Sequence, residues 1–129
     1  MKALLPKGWP RPKGYSNGIL AEGSQVFVAG MIGWNEQGEV PDGFVDQFEQ
    51  TLKNTLAVLA EANAGAADVV RMTWYVTDLD MYRSKLRELG WAYRNLMGTN
   101  FPAMSVVEVS GLVEPKAMIE IETTAVIGQ

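Results

Sequence analysis

Residues 68–77, Asp-Val-Val-Arg-Met-Thr-Trp-Tyr-Val-Thr, constrain this chain more than any other segment. The run is rich in β-branched and aromatic side chains and reads as a strand. Alternation places Val70, Met72, Trp74 and Val76 on one side and Val69 and Tyr75 on the other, so both sides carry apolar groups. Such a strand belongs in a sheet covered on both faces. The rest of the chain offers two amphipathic helices, enough for one face only. A wet apolar face is a patch that monomers rarely tolerate. The sequence therefore predicts a homo-oligomer whose sheets pack together. The other occupant weighed for that face is the arm at 1–14, which Pro6, Pro10, Pro12, Gly8 and Gly14 keep extended. The patch argument favours the oligomer.

The remaining elements follow from periodicity. Gly18–Ala21 and Gln25–Ile32 flank Gly23 and read as a hairpin, with a turn at 34–39 into a short further strand. Phe44, Phe48, Leu52, Leu56 and Leu59 share one face of a helix over 43–63, with Gln47, Gln50, Lys53 and Asn54 opposite, Asp42 as N-cap and Gly65 as stop. Tyr82, Leu86, Leu89, Tyr93 and Leu96 mark a second helix over 79–97, which Gly98 ends. Two closing strands span 104–109 and 117–127. In the last, Ala117, Ile119, Ile121, Thr123 and Ala125 point one way, and Met118, Glu120, Glu122, Thr124 and Val126 the other. The order predicts an α+β fold with two helices on one face of a mixed sheet.

Composition narrows the chemistry. The chain has 129 residues, no cysteine and no histidine. One domain over 1–129 is expected. Disulfides, thiolate nucleophiles, His-based triads and Cys/His metal sites are excluded, and acid–base work falls to Asp, Glu, Lys, Tyr, backbone or water. The formal net charge of −4 opposes nucleic-acid binding, which rests on phosphate neutralisation. No segment approaches a membrane span. The start shows no long apolar run, so the expected compartment is the cytoplasm.

Four constellations are candidates for a site. Glu120 and Glu122 emerge on one face of the last strand about 7 Å apart, as an acid–base pair or as partners in structural ion pairs. Arg83, Arg87 and Arg94 lie within about 40° of one another on the second helix, with Gly90 leaving a gap in their row. That stripe grips a carboxylate or forms a solvated edge paired with Glu88 and Asp80. Gly30-Met31-Ile32-Gly33-Trp34 lets a ligand approach backbone N–H groups, or is a twisted strand end. Tyr15, Trp34, Trp74 and Trp91 line a pocket or fill the core.

A set of ordered segments then carries a family resemblance. These are Gly14-Tyr15-Ser16-Asn17-Gly18, Val26-Phe27-Val28-Ala29-Gly30-Met31-Ile32, Gly38-Glu39-Val40, Gln50-Thr51-Leu52-Lys53-Asn54, Asp68-Val69-Val70-Arg71, Tyr75-Val76-Thr77-Asp78-Leu79, Phe101-Pro102-Ala103-Met104-Ser105 and Ile119-Glu120-Ile121-Glu122. Over nearly its whole length the chain resembles the RidA (YjgF-type, endoribonuclease L-PSP-like) superfamily. The resemblance implies a chorismate-mutase-like fold with a six-stranded mixed sheet, and a homotrimer with a central barrel and clefts between subunits. It implies hydrolysis of imines or enamines such as 2-aminoacrylate, without metal or organic cofactor. It assigns Glu120 to placing or activating water. Tyr15, Gly30, Met31, Ile32 and Gly33 would line the cleft, with Trp34 near its rim.

One position departs from the family pattern. The Pro-Ala-x-Ser motif of the active deaminases carries Arg at x, which clamps the substrate carboxylate; here x is Met104, followed by Val106 in place of a small residue. A thioether cannot replace a bidentate guanidinium. The expectations are a more apolar cleft, weak activity on ordinary 2-imino acids, and an anion anchor supplied by the second helix, Arg87 in particular. A 2-aminomuconate-like carboxylate substrate would suit that arrangement, since some deaminases for that compound resemble the Gly-Tyr-Ser-Asn-Gly and Thr-Trp-Tyr-Val-Thr-Asp segments. The alternative is a non-catalytic trimer that binds a metabolite.

Overall fold

The computed structural model describes residues 1–128; Gln129, the last residue of the expected 1–129 domain, lies outside them. Strands β1 (Lys2–Ala3), β2 (Ile19–Leu20) and β3 (Ser24–Met31) precede helix α1 (Phe44–Ala60). Strand β4 (Val69–Val76), helices α2 (Leu79–Ser84) and α3 (Leu86–Met97), and strands β5 (Ala103–Glu108) and β6 (Ile119–Ile127) follow. The α+β class holds, but the six strands form two sheets. One pairs β1 with β2; the other has four strands in the order β3-β6-β4-β5. Only β4 and β5 run parallel, joined through α2 and α3. The larger sheet is thus mixed, with the helices on one face.

The expected hairpin does not form. β2 pairs with β1, and β3 pairs with β6. Gly23 accounts for this: its φ is +145°, and a Cβ there would lie 2.0 Å from the Ile127 carbonyl oxygen. The chain passes hard against the end of β6 and is led alongside that strand. Residues 34–39 form a turn without a further strand, held by Asn35 Oδ1 accepting from the backbone of Gln37 and Glu39, each at 2.9 Å.

The helices also differ from expectation at their ends. Gly43, not Asp42, caps α1 and supplies no side-chain bond; the helix stops at Ala60, before Gly65. The second helix breaks at Lys85 into α2 and α3. There the Ser84 hydroxyl donates to the Met81 carbonyl at 2.7 Å, a local bond of the kind that competes with a helix ladder. Asp78 is an N-cap, accepting from Met81 N–H at 3.1 Å.

The core lies between α1, α3 and one face of the larger sheet. Phe48, Leu52, Leu59, Met72, Val76, Ile119 and Ile121 are fully buried there. Gln47, expected on the polar side of α1, is buried too. Its amide donates to the carbonyls of Pro41 (2.7 Å) and Lys116 (3.0 Å), and its oxygen accepts from Met118 N–H at 2.8 Å. The last two bind the start of α1 to the entry of β6, and the first ties it to the segment that leads into α1.

The opposite sheet face is polar, which corrects the two-sided apolar reading of β4. The pairing of β4 with β6 is irregular between Val69 and Arg71, so Val69 is buried and Arg71, Thr73 and Tyr75 take the open face. Across from them on β6 stand Thr124, Glu122 and Glu120. Phe27, 72% exposed, and Val107, in register with Tyr75 and 42% exposed, are large apolar groups on that face. Among the described residues, no helix is long and apolar enough to cross a membrane.

Candidate functional site

A pocket of about 570 Å³ opens between α2, α3 and the β4–β5 edge, within the range of small-molecule sites. Local bonding explains how Tyr15 reaches it. Ser16 bridges to Ala103 in parallel register, its N–H donating to the Pro102 carbonyl at 2.9 Å and its hydroxyl to the Phe101 carbonyl. Residues 15–17 thus run as a short extension beside β5. Met104 and Val106 pair with Met72 and Trp74 in register, so all four face the helices. Tyr15, Met104 and Val106 line the same pocket.

The pocket is strongly aromatic. Trp74 packs against Phe48 at 4.8 Å, Tyr82 at 6.3 Å and Tyr93 at 6.4 Å between ring centroids. Tyr93 stacks on Phe101 at 5.6 Å and donates its hydroxyl to the Asn100 carbonyl. Burial holds the Tyr93 and Tyr82 phenols above their usual pKa. Lys13 and Arg94 also line the pocket. An Arg94 nitrogen passes 3.9 Å from where a Cβ of Gly90 would stand, so this guanidinium lies alongside the gap in the helix row.

Glu120 lies elsewhere, on the open sheet face. A Cβ on Gly30 would come within 2.6 Å of Glu120 Oε2 and 2.8 Å of Cδ, so the carboxylate rests directly over the Gly30 backbone. Beside it, Tyr75 donates its hydroxyl to Glu122 Oε1 at 2.6 Å. That bond, with burial and the two carboxylates, raises the Tyr75 pKa above 10.

Residues 31–34 form neither half. Their backbone is tied to α1 by Asn54, whose amide donates to the carbonyls of Ile32 (2.9 Å) and Trp34 (2.8 Å). Gly33 serves close packing, since a Cβ there would meet the Gln47 carbonyl oxygen at 2.8 Å. Ile32 is buried, Met31 packs at the core edge and Trp34 is half-exposed. Arg87 is absent from the pocket lining; its guanidinium lies 5.0 Å over the Trp91 ring on the outer side of α3. The arginine that lines the pocket is Arg94. Lys13, Tyr82, Tyr93 and Phe101 also line the pocket; the sequence placed Tyr82 and Tyr93 only in the helix stripe and named none of the four as a site residue. The gap at Gly90 was the signal that pointed to Arg94's row.

Among the described residues, no group of three or more acidic side chains is placed to hold a metal ion. A family model described as Endoribonuclease L-PSP matches residues 10–127. A RutC family protein of Pyrococcus abyssi is 37% identical over 119 residues, covering 90% of this chain and 89% of that protein. TdcF of Escherichia coli, named as a candidate reactive intermediate deaminase, is 33% identical over 106 residues, 81% of this chain and 80% of its own. The structure of TdcF with bound serine superposes with a TM-score of 0.73 at 29% identity, covering 99% of this chain and 100% of that one. The Rid family protein YyfB of Yersinia pestis gives a TM-score of 0.85 at 30% identity, with 98% of each chain covered.

Proposed function

Because the chain belongs to the endoribonuclease L-PSP family, the RidA/YjgF superfamily, we propose that it is a cofactor-free hydrolase of imine- or enamine-type metabolites, acting in a cleft shared between copies of itself. The observation behind this reading is the division of the site. Tyr15, Met104, Val106 and Arg94 stand on the helix face of the sheet, while Glu120 and Gly30 stand on the other. No single copy joins them. A neighbouring subunit that brings its Glu120 to the mouth of this pocket completes the set, and a homotrimer with a central barrel meets that requirement. Arg71, Thr73, Tyr75 and Glu122 would then face the barrel.

In the proposed reaction Glu120 orients water toward the C=N carbon and takes its proton. The water oxygen becomes the ketone oxygen, and the nitrogen leaves as ammonia after receiving protons through the same carboxylate. Gly30 allows the carboxylate to lie close over the backbone. Arg94 takes the anchoring role that sequence reasoning gave to Arg87, and Met104 leaves the usual clamp position uncharged. Aminomuconate-like substrates remain within this reading, since their carboxylate need not reach position 104.

An ammonia-release assay over a panel of imino acids and aminomuconate tests it, beside Glu120→Gln and a sedimentation measurement of mass. Turnover that falls at least about 100-fold in the variant, in a trimeric protein, supports the role. Unchanged turnover in Glu120→Gln, or a monomer with full activity, overturns it. Metabolite binding with no ammonia from any substrate would establish the non-catalytic alternative.

A further inference from the structure

We infer that the amino-terminal arm, residues 1–13, is a strap that docks on a second copy of this chain, against the acidic turn and helix start at 36–46. The inference rests on the reading of a boundary shared between copies, but not on hydrolysis there. It goes beyond that reading by naming the segment that fastens the boundary and the surface that receives it.

Three observations carry it. The first is the arm's lack of cover. Residues 1–11 are all exposed, Trp9 by 59% and Leu5 by 48%. The arm nevertheless has a defined shape: β1 pairs with β2, Leu4 N–H donates to the Gly18 carbonyl, and Trp9 N–H to that of Pro6. A shaped ribbon that leaves an indole and leucines in water lacks a surface within its own chain to cover them. The second is charge. Lys2, Lys7, Arg11 and Lys13 all precede the first acid, Glu22, and no cation follows from Gly14 to Leu52. That cation-free stretch exposes Glu36, Glu39, Asp42 and Asp46, with the half-exposed ring of Trp34 beside them. None of these cations or acids is in an ion pair among the described residues. The two surfaces are opposite in sign, and each carries an exposed aromatic ring.

The third is placement. Ser16 joins the root of the arm to the start of β5, one edge of the larger sheet, and the acidic turn follows the end of β3, the other edge. Ala103 lies level with Arg71, Thr124 and Phe27, and Val106 with Trp74, Ile121 and Met31. The arm's root and the turn therefore stand at diagonally opposite corners of the sheet. Contact between such corners on different copies is head-to-tail, the kind that closes into a ring. Glu120, in register with Tyr75, lies toward the turn's end of the sheet, while Lys13 and Tyr15 at the arm's root line the pocket. The docking that carries Glu120 to a neighbour's pocket thus carries the acidic turn toward that neighbour's arm.

The chain has no cysteine, so introduced thiols are unique. Pro10→Cys and Gln37→Cys place one in the arm and one in the turn without altering a charge, both at exposed positions. The test is cross-linking of the full chain with bismaleimidoethane, read by denaturing electrophoresis. The double variant should give a ladder of dimer and larger species, and each single variant less than about a tenth of that yield. In the double-cysteine background, Lys7→Glu with Arg11→Glu should cut the yield at least about tenfold, as should Glu36→Lys with Glu39→Lys; all four together should restore it to within about threefold. Absence of the ladder, equal cross-linking of the single variants, a link closed within one chain, or reversals that change nothing or fail to restore each other would overturn the inference. Capture of the wild type by phosphatidylglycerol vesicles through Lys7 and Arg11, with no ladder, would assign the arm to a lipid surface and overturn it as well. A ladder with charge-swap rescue in a protein that releases no ammonia from any substrate would refute the hydrolase reading and leave the strap standing. Glu120-dependent ammonia release from an oligomer that forms no ladder would do the reverse.

Discussion

Gln47 offers a quantitative test of how α1 fixes the strand that bears Glu120. Gln47→Met keeps the approximate volume and so adds little cavity cost. It removes three hydrogen bonds: two donated to the carbonyls of Pro41 and Lys116, and one accepted from Met118 N–H. Net contributions of about 1 kcal/mol each give a loss of about 3 kcal/mol. Pro41 is half-buried and Lys116 exposed, so their carbonyls regain water; the Met118 N–H is the group most exposed to the penalty of an unpaired donor. With a urea m-value of about 2 kcal/mol/M, the midpoint should fall by about 1.5 M at fixed protein concentration. Equilibrium urea denaturation followed by tryptophan fluorescence measures this. Amide exchange supplies a local readout, with Met118 losing protection ahead of the core of β4. A midpoint shift below about 0.5 M would refute the assignment of Gln47 as the bond between α1 and β6.

Two glycines separate a catalytic from a structural role. Gly33→Ala drives a Cβ into the Gln47 backbone at 2.8 Å and should cost about 2 kcal/mol or more in the same denaturation assay. Gly30→Ala meets only the movable end of Glu120, so thermal stability should change little while ammonia release drops at least about tenfold. Tyr75, Tyr82 and Tyr93 all hold their protons more tightly in the folded state than in the unfolded chain. Their contribution is therefore complete below about pH 10, the unfolded value, and is lost as pH rises beyond it. Denaturation midpoints should be flat with respect to these groups up to that point and fall above it, with phenolate absorbance rising alongside unfolding; simple titration of every tyrosine near pH 10 in the native protein would contradict this. Wild type should turn over 2-iminopropionate poorly, and Met104→Arg should raise that activity, as read by ammonia release. High wild-type activity would show that another residue already clamps the carboxylate.

The legible parts of this fold are those that a local period determines. The alternation of Ala117, Ile119, Ile121, Thr123 and Ala125 assigned the buried side of β6 correctly, and with it the common open face of Glu120 and Glu122. The helical spacing of Phe44, Phe48, Leu52 and Leu59 did the same for α1. What escaped was set by partners far along the chain. Gln47 reads as a polar-face residue until Lys116 and Met118 are brought to it. The two-residue period of β4 is interrupted between Val69 and Arg71, which moves Val69 to the core and leaves the open face polar. The arginines show the same limit within one helix. Arg87 and Arg94 share a face because seven residues make nearly two turns, yet those turns separate them by about 10 Å along the axis. Angular position was readable; depth along α3 was not, and depth decides which guanidinium borders the pocket and which is taken by Trp91. The division of Glu120 from Tyr15 and Met104 follows from the same geometry. Successive side chains of a strand point to opposite faces and cross-strand partners share one; Glu120 is in register with Tyr75, and Met104 and Val106 with Met72 and Trp74, so no rotamer change within one chain carries the carboxylate through the sheet. Under the proposed mechanism, the pocket and Glu120 act together only across a boundary between copies.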